Sequence, residues 1–196
     1  MADIVWETLP LTPQRFDDFA DVINPNRRST HCWCLSHRCT AQEVDALGAT
    51  RHEASQALVA QRTTGVITYA DGVPVGWCSI GPRSENTRLS RSKLILPVDD
   101  QDVWSIVCVV VRGGHRKRGV TGHLIEGAVA YAQERGAPGV EAHPVDPDGR
   151  MDLTMAFVGT KTMFDRAGFE VVGTTAATAS KMPRLVMRRM FRDVSR

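Results

Sequence analysis

Residues 106–124 read IVCVVVRGGHRKRGVTGHL: an unbroken apolar run, then basic and imidazole side chains set among glycines, then the start of a helical pattern. A valine-rich run without alternation describes a strand buried on both faces, and so central in a sheet. Downstream, Val120, Leu124, Ala128, Tyr131 and Ala132 trace an apolar stripe on a helix that Gly136 can cap. A buried strand that runs through a glycine loop into a helix brings several unpaired backbone N–H groups to one point, at the positive end of the helix dipole. Anionic phosphates bind at such points. Gly113, Gly114, Gly119 and Gly122 let a ligand approach closely, and Arg116, Lys117 and Arg118 add charge. A solvated basic turn is the competing reading, and the position between buried strand and helix argues against it.

Outward from this stretch the chain alternates strands and helices. Ile4–Leu9 is a candidate first strand, followed by a helix over 13–23 and a second helix within 41–62. Asp71-Gly72 between the apolar runs 65–70 and 73–80 is a hairpin signal. Val103–Val111 forms the central strand, Gly139–Val145 another, residues 155–167 a helix, and 169–173 and 185–190 the last two strands. The expectation is a mixed α/β fold of six or seven strands and about four helices, with residues 1–196 as one domain.

Composition limits the function. Of 196 residues 42% are hydrophobic, which is normal for a globular domain, and the net charge of +2 argues against general nucleic-acid binding. No apolar run is long enough to span a bilayer, and MADIVWETLPL lacks a basic start followed by an apolar stretch, so a cytoplasmic protein without membrane contact is expected. Five scattered cysteines favour reduced thiols over a disulfide framework. His31, Cys32, Cys34, His37 and Cys39 lack the spacing of paired zinc knuckles, and no metal is expected.

The phosphate loop can be compared with known ones. Gly114 and Gly119 have P-loop spacing, but Val120 stands where the phosphate-reaching lysine belongs, and the dinucleotide pattern of three glycines fails. Arg116-Lys-Arg-Gly119-Val-Thr121 resembles the Q/R-x-x-G-x-G/A signature of the GNAT superfamily of acyl-coenzyme A-dependent N-acyltransferases, with Thr121 in place of the usual small residue and Gly122 beside it. Thr162-Met-Phe164-Asp-Arg-Ala-Gly168-Phe169 resembles that family's late helix and its Gly-Phe ending. CWC, GPRSE, VWSIV and VEAHPVD resemble segments of a bacterial group within the family whose substrates are mostly unassigned.

The resemblance implies a mostly antiparallel sheet whose fourth and fifth strands splay apart, with a coenzyme A-binding core over about 65–175. It implies acetyl-coenzyme A as cosubstrate, its pyrophosphate held by Arg116, Lys117, Arg118, Gly119, Val120, Thr121 and Gly122. The pantetheine arm would lie along Val109, Val110 and Val111, with a strand N–H near Val109 polarising the thioester. Phe164 occupies the position of the tyrosine that serves many relatives as proton donor, and phenylalanine cannot give up a proton.

Glu141 and His143 alternate on one face of the fifth strand, so either can face the cleft as the base; solvent exposure or strand pairing is the alternative. Asp146 and Glu126 are weaker candidates. Trp33 is a candidate wall of the acceptor pocket, against core packing. Arg83, in the stretch after the third strand, is a candidate contact to a substrate carboxylate or phosphate, against a solvated connection. The function expected is transfer of an acetyl group from acetyl-coenzyme A to an amine of a small molecule or peptide, and the family is compatible with a homodimer. A noncatalytic acyl-coenzyme A-binding or regulatory domain, and a P-loop-like nucleotide enzyme, stand as alternatives.

Overall fold

Asp71 and Gly72 both adopt left-handed backbone, at φ 51° and 77°, as a two-residue hairpin that follows strand twist requires. They join β2 (Gly65–Ala70) to β3 (Val73–Pro82). β1 (Trp6–Pro10) lies antiparallel on β2, and β4 (Trp104–Val111) lies antiparallel on β3. After the glycine loop, α5 (Val120–Glu134) carries the chain back so that β5 (Gly139–Ala142) runs parallel to β4. A parallel neighbour needs such a crossover. β6 (Glu170–Ala179) and β7 (Met182–Met190) form a hairpin whose second strand pairs with β5. The sheet order is β1-β2-β3-β4-β5-β7-β6 in this computed structural model, which describes residues 4–147, 156–179 and 181–191.

The two faces of the sheet carry separate cores. On one face the stripe of α5, from Val120 through Leu124, Ala128 and Ala132, packs on Val66, Ile80, Ile106 and Val140. Gly127 allows the helix to approach β1, because a Cβ there would lie 2.5 Å from that of Thr8. On the other face α1 (Phe16–Ile23) and neighbouring residues pack Phe16, Phe19 and Trp33 against Ile67 and Trp77.

The segment 41–62 is two helices and not one: α2 (Ala41–Leu47) and α3 (Arg51–Gln61), divided at Gly48. Each begins with a capping box, Thr40 with Glu43 and Thr50 with Glu53, so the second Thr-x-x-Glu restarts the helix. The connection after β3 also has more structure than a solvated loop, with a short 3-10 turn at Arg83–Glu85 and α4 (Thr87–Ser90). The helix read over 155–167 is a 3-10 turn at Ala156–Val158 followed by α6 (Lys161–Asp165); Met155 lies outside the described residues. No helix among the described residues is long and apolar enough to cross a membrane.

Phe164 from α6 is fully buried in the core beneath α5, edge-on to Phe169 at 5.2 Å. Truncation to alanine removes a large aromatic from a packed site, and Phe164→Ala is expected to lose about 3–5 kcal/mol of stability by urea denaturation.

Candidate active site

β4 and β5 pair at only three positions: Trp104 with Val140, Ser105 with Glu141, and Ile106 with Ala142. β4 then continues to Val111 with β3 alone as its partner. The next pair in this register would be Val107 with His143, and these residues instead line a cavity of about 230 Å³. His37, Arg88, Leu89, Ser92, Ile95 and Arg184 complete the lining. The cavity lies on the face opposite α5 and opens where the two strands part.

Glu141, at the closed end of this divergence, is fully buried. Its Oε1 accepts from Arg83 and, at 2.9 Å, from the Ser105 hydroxyl, while Oε2 accepts from Arg188 Nη2 at 3.2 Å and Nε at 3.3 Å. Burial raises its carboxyl, but His143 once protonated, the Arg83 guanidinium and the Ser105 hydroxyl outweigh burial and hold it below the usual range. The carboxylate stays ionised with both oxygens committed, so it has no free lone pair to offer an incoming amine.

His143 is on the same face, as strand alternation requires, and is 1% exposed. Its Nε2 is itself buried, has no hydrogen-bond partner among the described residues and lies 3.6 Å from Glu141 Oε1. Burial pushes the imidazole down to about 4, the Glu141 carboxylate offsetting this in part, and Arg184, Arg83 and Arg188 pushing the same way. The result is a neutral ring with one unused nitrogen beside a cavity, chemically able to accept a proton. His37, stacked on Phe157 at 4.4 Å, is likewise lowered to about 4, by burial and then by Arg184 and Arg88.

The phosphate-type loop lies beyond the open end of β4. Gly114, Lys117 and Gly119 have φ of 83°, 61° and 80°, and Gly119 is the residue before the first turn of α5. The backbone N–H groups of residues 116–119 make no hydrogen bonds among the described residues, and those of Val120 and Thr121 belong to a helix start, which has no internal partners for them. Nothing lies within 4 Å of a Cβ built at Gly119 or Gly122. Arg116, Lys117 and Arg118 are exposed. This is an open cluster of donors with positive charge around it.

Other residues singled out in the sequence lie elsewhere. Trp33 is buried in the core, 6.0 Å from the Phe16 ring and 5.0 Å from His52, and does not line the cavity. Arg83 is not part of a solvated connection: it is buried, bound to Glu141, and donates to the Ile95 carbonyl at 2.7 Å. Phe164 packs in the core, as described. Glu126 is exposed and pairs with Arg189 at 2.9 Å, and Asp146 is exposed. The Cys/His group disperses: Cys34 accepts from Trp77 Nε1 at 2.9 Å, Cys39 packs with Leu35 and Leu58, and His37 reaches the cavity. Arg88, Ser92 and Arg184 were not singled out, and nothing in their local sequence distinguishes them.

A strand pair that parts beside a donor-rich loop is the arrangement that the resemblance to acyl-coenzyme A-dependent N-acyltransferases implies. The family model described as the acetyltransferase (GNAT) family matches residues 19–151. The chain belongs to the GNAT acetyltransferase family and is an acyltransferase. Among solved structures, the aminoglycoside acetyltransferase AAC(6')-Ib in complex with ribostamycin and coenzyme A superposes with a TM-score of 0.57 at 15% identity, over 94% of this chain and 93% of that one. The yncA structure, a putative acetyltransferase from Salmonella typhimurium with acetyl-CoA, gives 0.57 at 12% identity over 97% and 96%. A GNAT-family acetyltransferase from Streptococcus pneumoniae gives 0.57 at 13% over 96% and 100%. These likenesses concern the fold. No curated protein matches the sequence at a significant level.

Replacing the Glu141 carboxylate leaves two buried arginines facing a neutral amide, so Glu141→Gln is expected to lose about 3–5 kcal/mol in chemical denaturation. The histidines set the acid response. His37 and His143 take a proton near 6.5 when unfolded but only near 4 when folded, so the unfolded state binds more protons between these values. Their contribution is complete above pH 6.5 and is lost as pH falls toward 4. Stability measured across that window is expected to fall in the native protein and to fall less steeply in His143→Gln.

Proposed function

We propose that this protein is an N-acetyltransferase that passes an acetyl group directly from acetyl-coenzyme A to a primary amine of a small molecule or peptide. The divergence of β4 from β5, with unbonded loop N–H groups at its open end and a neutral imidazole on its wall, carries this reading. Solved neighbours crystallised with coenzyme A and acetyl-CoA support it. The residues present fit the cosubstrate: the space above Gly119 and Gly122 is open, and the N–H groups of residues 116–119 make no hydrogen bond among the described residues. The described residues share one sheet, which supports reading 1–196 as one acyltransferase domain.

Acetyl-coenzyme A supplies the acyl group as a thioester. The N–H groups of residues 116–121 hold its pyrophosphate, Gly122 leaving room beside them, with Arg116, Lys117 and Arg118 adding long-range attraction. The main chain of Val109–Val111, unpaired among the described residues on the side away from β3, orients the pantetheine arm, and a strand N–H near Val109 draws charge toward the carbonyl oxygen. His143 Nε2 accepts the amine's proton. An imidazole titrating near 4 is a weak base, so the amine arrives neutral and gives up its proton only as the new C–N bond makes the nitrogen acidic. Phe164 is buried and has no proton to give, and a thiol with an ordinary pKa of about 8.5 can leave as the thiolate.

At a hundred times its dissociation constant, acetyl-coenzyme A is expected to add about 2.7 kcal/mol of stability in thermal unfolding. Gly119→Glu, which puts a side chain and a negative charge at a φ of 80° in the cradle, should abolish that gain. Gly136→Ala is the control, equally left-handed at φ 76° but at the far end of α5, and should keep it. Equal stabilisation of Gly119→Glu and the native protein would sink the phosphate-loop assignment. His143→Gln is expected to lower kcat by about 10²–10⁴-fold with little change in the KM for acetyl-coenzyme A. Because His143 is neutral down to about pH 4, the pH dependence of kcat/KM above pH 5 should shift with the pKa of the acceptor amine and not with the imidazole.

A further inference from the structure

Two guanidinium groups, Arg88 and Arg184, line the cavity beside His37 and His143, and among the described residues no carboxylate does. Arg184 donates through Nε to the His143 carbonyl at 2.8 Å, and its terminal nitrogens make no hydrogen bond among the described residues. Burial pushes Arg184 down to about 10, so it keeps its charge at neutral pH. Arg88 is exposed at the mouth and has no ion-pair partner among the described residues. The nearest buried acid, Glu141, is already neutralised by Arg83 and Arg188.

A partly buried cation without a counter-ion is costly, and an anionic ligand relieves that cost. The planar edge of a guanidinium, with two terminal nitrogens side by side, matches the two oxygens of a carboxylate. A polycationic amine would meet the same two charges as repulsion. The volume, about 230 Å³, suits a small molecule, and Leu89, Ile95 and Val107 offer apolar wall to an aliphatic part of it.

We infer that the acceptor is a small amino acid-type molecule, its carboxylate held by Arg184 with Arg88 at the mouth and its amine presented to His143. Arg184 is bonded to the backbone of the proton acceptor, so clamp and base are adjacent, and a short spacer between carboxylate and amine spans them. The inference rests on the acetyl-transfer reading and narrows its acceptor to a class unlike the aminoglycoside bound by the solved relative.

The test has two arms on the full-length protein. Thermal unfolding with acetyl-coenzyme A comes first; if it produces no stabilisation, the acetyl-transfer reading falls and this inference with it. In the second arm, N-acetylated product is quantified by mass spectrometry for the proteinogenic amino acids, each matched with its carboxamide, and for spermidine and ribostamycin. At least one free amino acid should be acetylated with a kcat/KM roughly 10- to 100-fold above that of its carboxamide, as expected for a charge-assisted clamp. That ratio should collapse to within a few-fold in Arg184→Gln, recover in part in Arg184→Lys, and shrink in the exposed variant Arg88→Gln, which is less prone to misfold. If acetyl-coenzyme A binds but carboxamides, spermidine or ribostamycin are acetylated as well as the free acids, or no free amino acid is acetylated, the carboxylate acceptor is rejected and the acetyl-transfer reading survives.

Discussion

The Glu141 carboxylate sits where β4, β5 and β7 meet, and three elements converge on it: Ser105 from β4, Arg83 from the turn after β3, and Arg188 from β7. Removing an ionised carboxylate from water costs several kcal/mol, and the interior repays it only if every lone pair finds a donor. Here they do. The arginines extend the restraint, Arg83 to the Ile95 carbonyl at 2.7 Å and Arg188 to Asp99 at 2.7 Å. The segment that contributes Ser92 and Ile95 to the cavity is thereby tied to the closed end of the strand pair. Beyond that clamp the β4–β5 ladder lasts one more residue and stops. The position of the gap follows from where the buried charge is satisfied.

Satisfying Glu141 in this way shapes the electrostatics next door. With its charge spent on Arg83 and Arg188, it cannot also neutralise Arg184 or hold a proton on His143, and burial leaves both His143 and His37 uncharged at neutral pH. The cavity therefore combines neutral imidazoles with guanidiniums that no carboxylate opposes among the described residues. One pair of groups suits proton acceptance and the other suits anion binding. Both properties come from the same desolvation, which penalises a charge that a histidine can shed and an arginine cannot.

On the side we propose for the cosubstrate, the groups on offer are mostly main chain. Valines fill β4 because its side chains face two cores, while its free edge and the loop beyond it present backbone groups. Gly127 helps to fix the axis of α5 by letting it lie against Thr8 of β1. A helix seated that closely holds its N-terminal donors in a fixed position over the end of β4, which a loop alone would not achieve.

The residue order from 106 to 124 was sufficient to place the central strand, the loop and the following helix, because burial on two faces, glycine freedom and helical spacing are all local signals. The Asp71-Gly72 hairpin and the alternation of Glu141 with His143 were legible for the same reason. The Thr-x-x-Glu signals at 40–43 and 50–53 were also legible, and they divide a segment that apolar spacing alone reads as one helix. What the chain order could not express is partnership at a distance. Glu141 finds Arg83 58 residues away and Arg188 47 residues away, which turns a candidate base into a structural anchor and leaves His143 with the free nitrogen. Trp33 is drawn into the core by Phe16 and His52, while Arg184, unremarkable in its own strand, is drawn onto the carbonyl of His143. The sequence by itself determined the family, the mixed sheet and the place of the glycine loop between strand and helix, since each rests on neighbouring residues. Only the tertiary structure decided which buried polar groups are satisfied and which are left free, because that depends on donors brought together from distant parts of the chain.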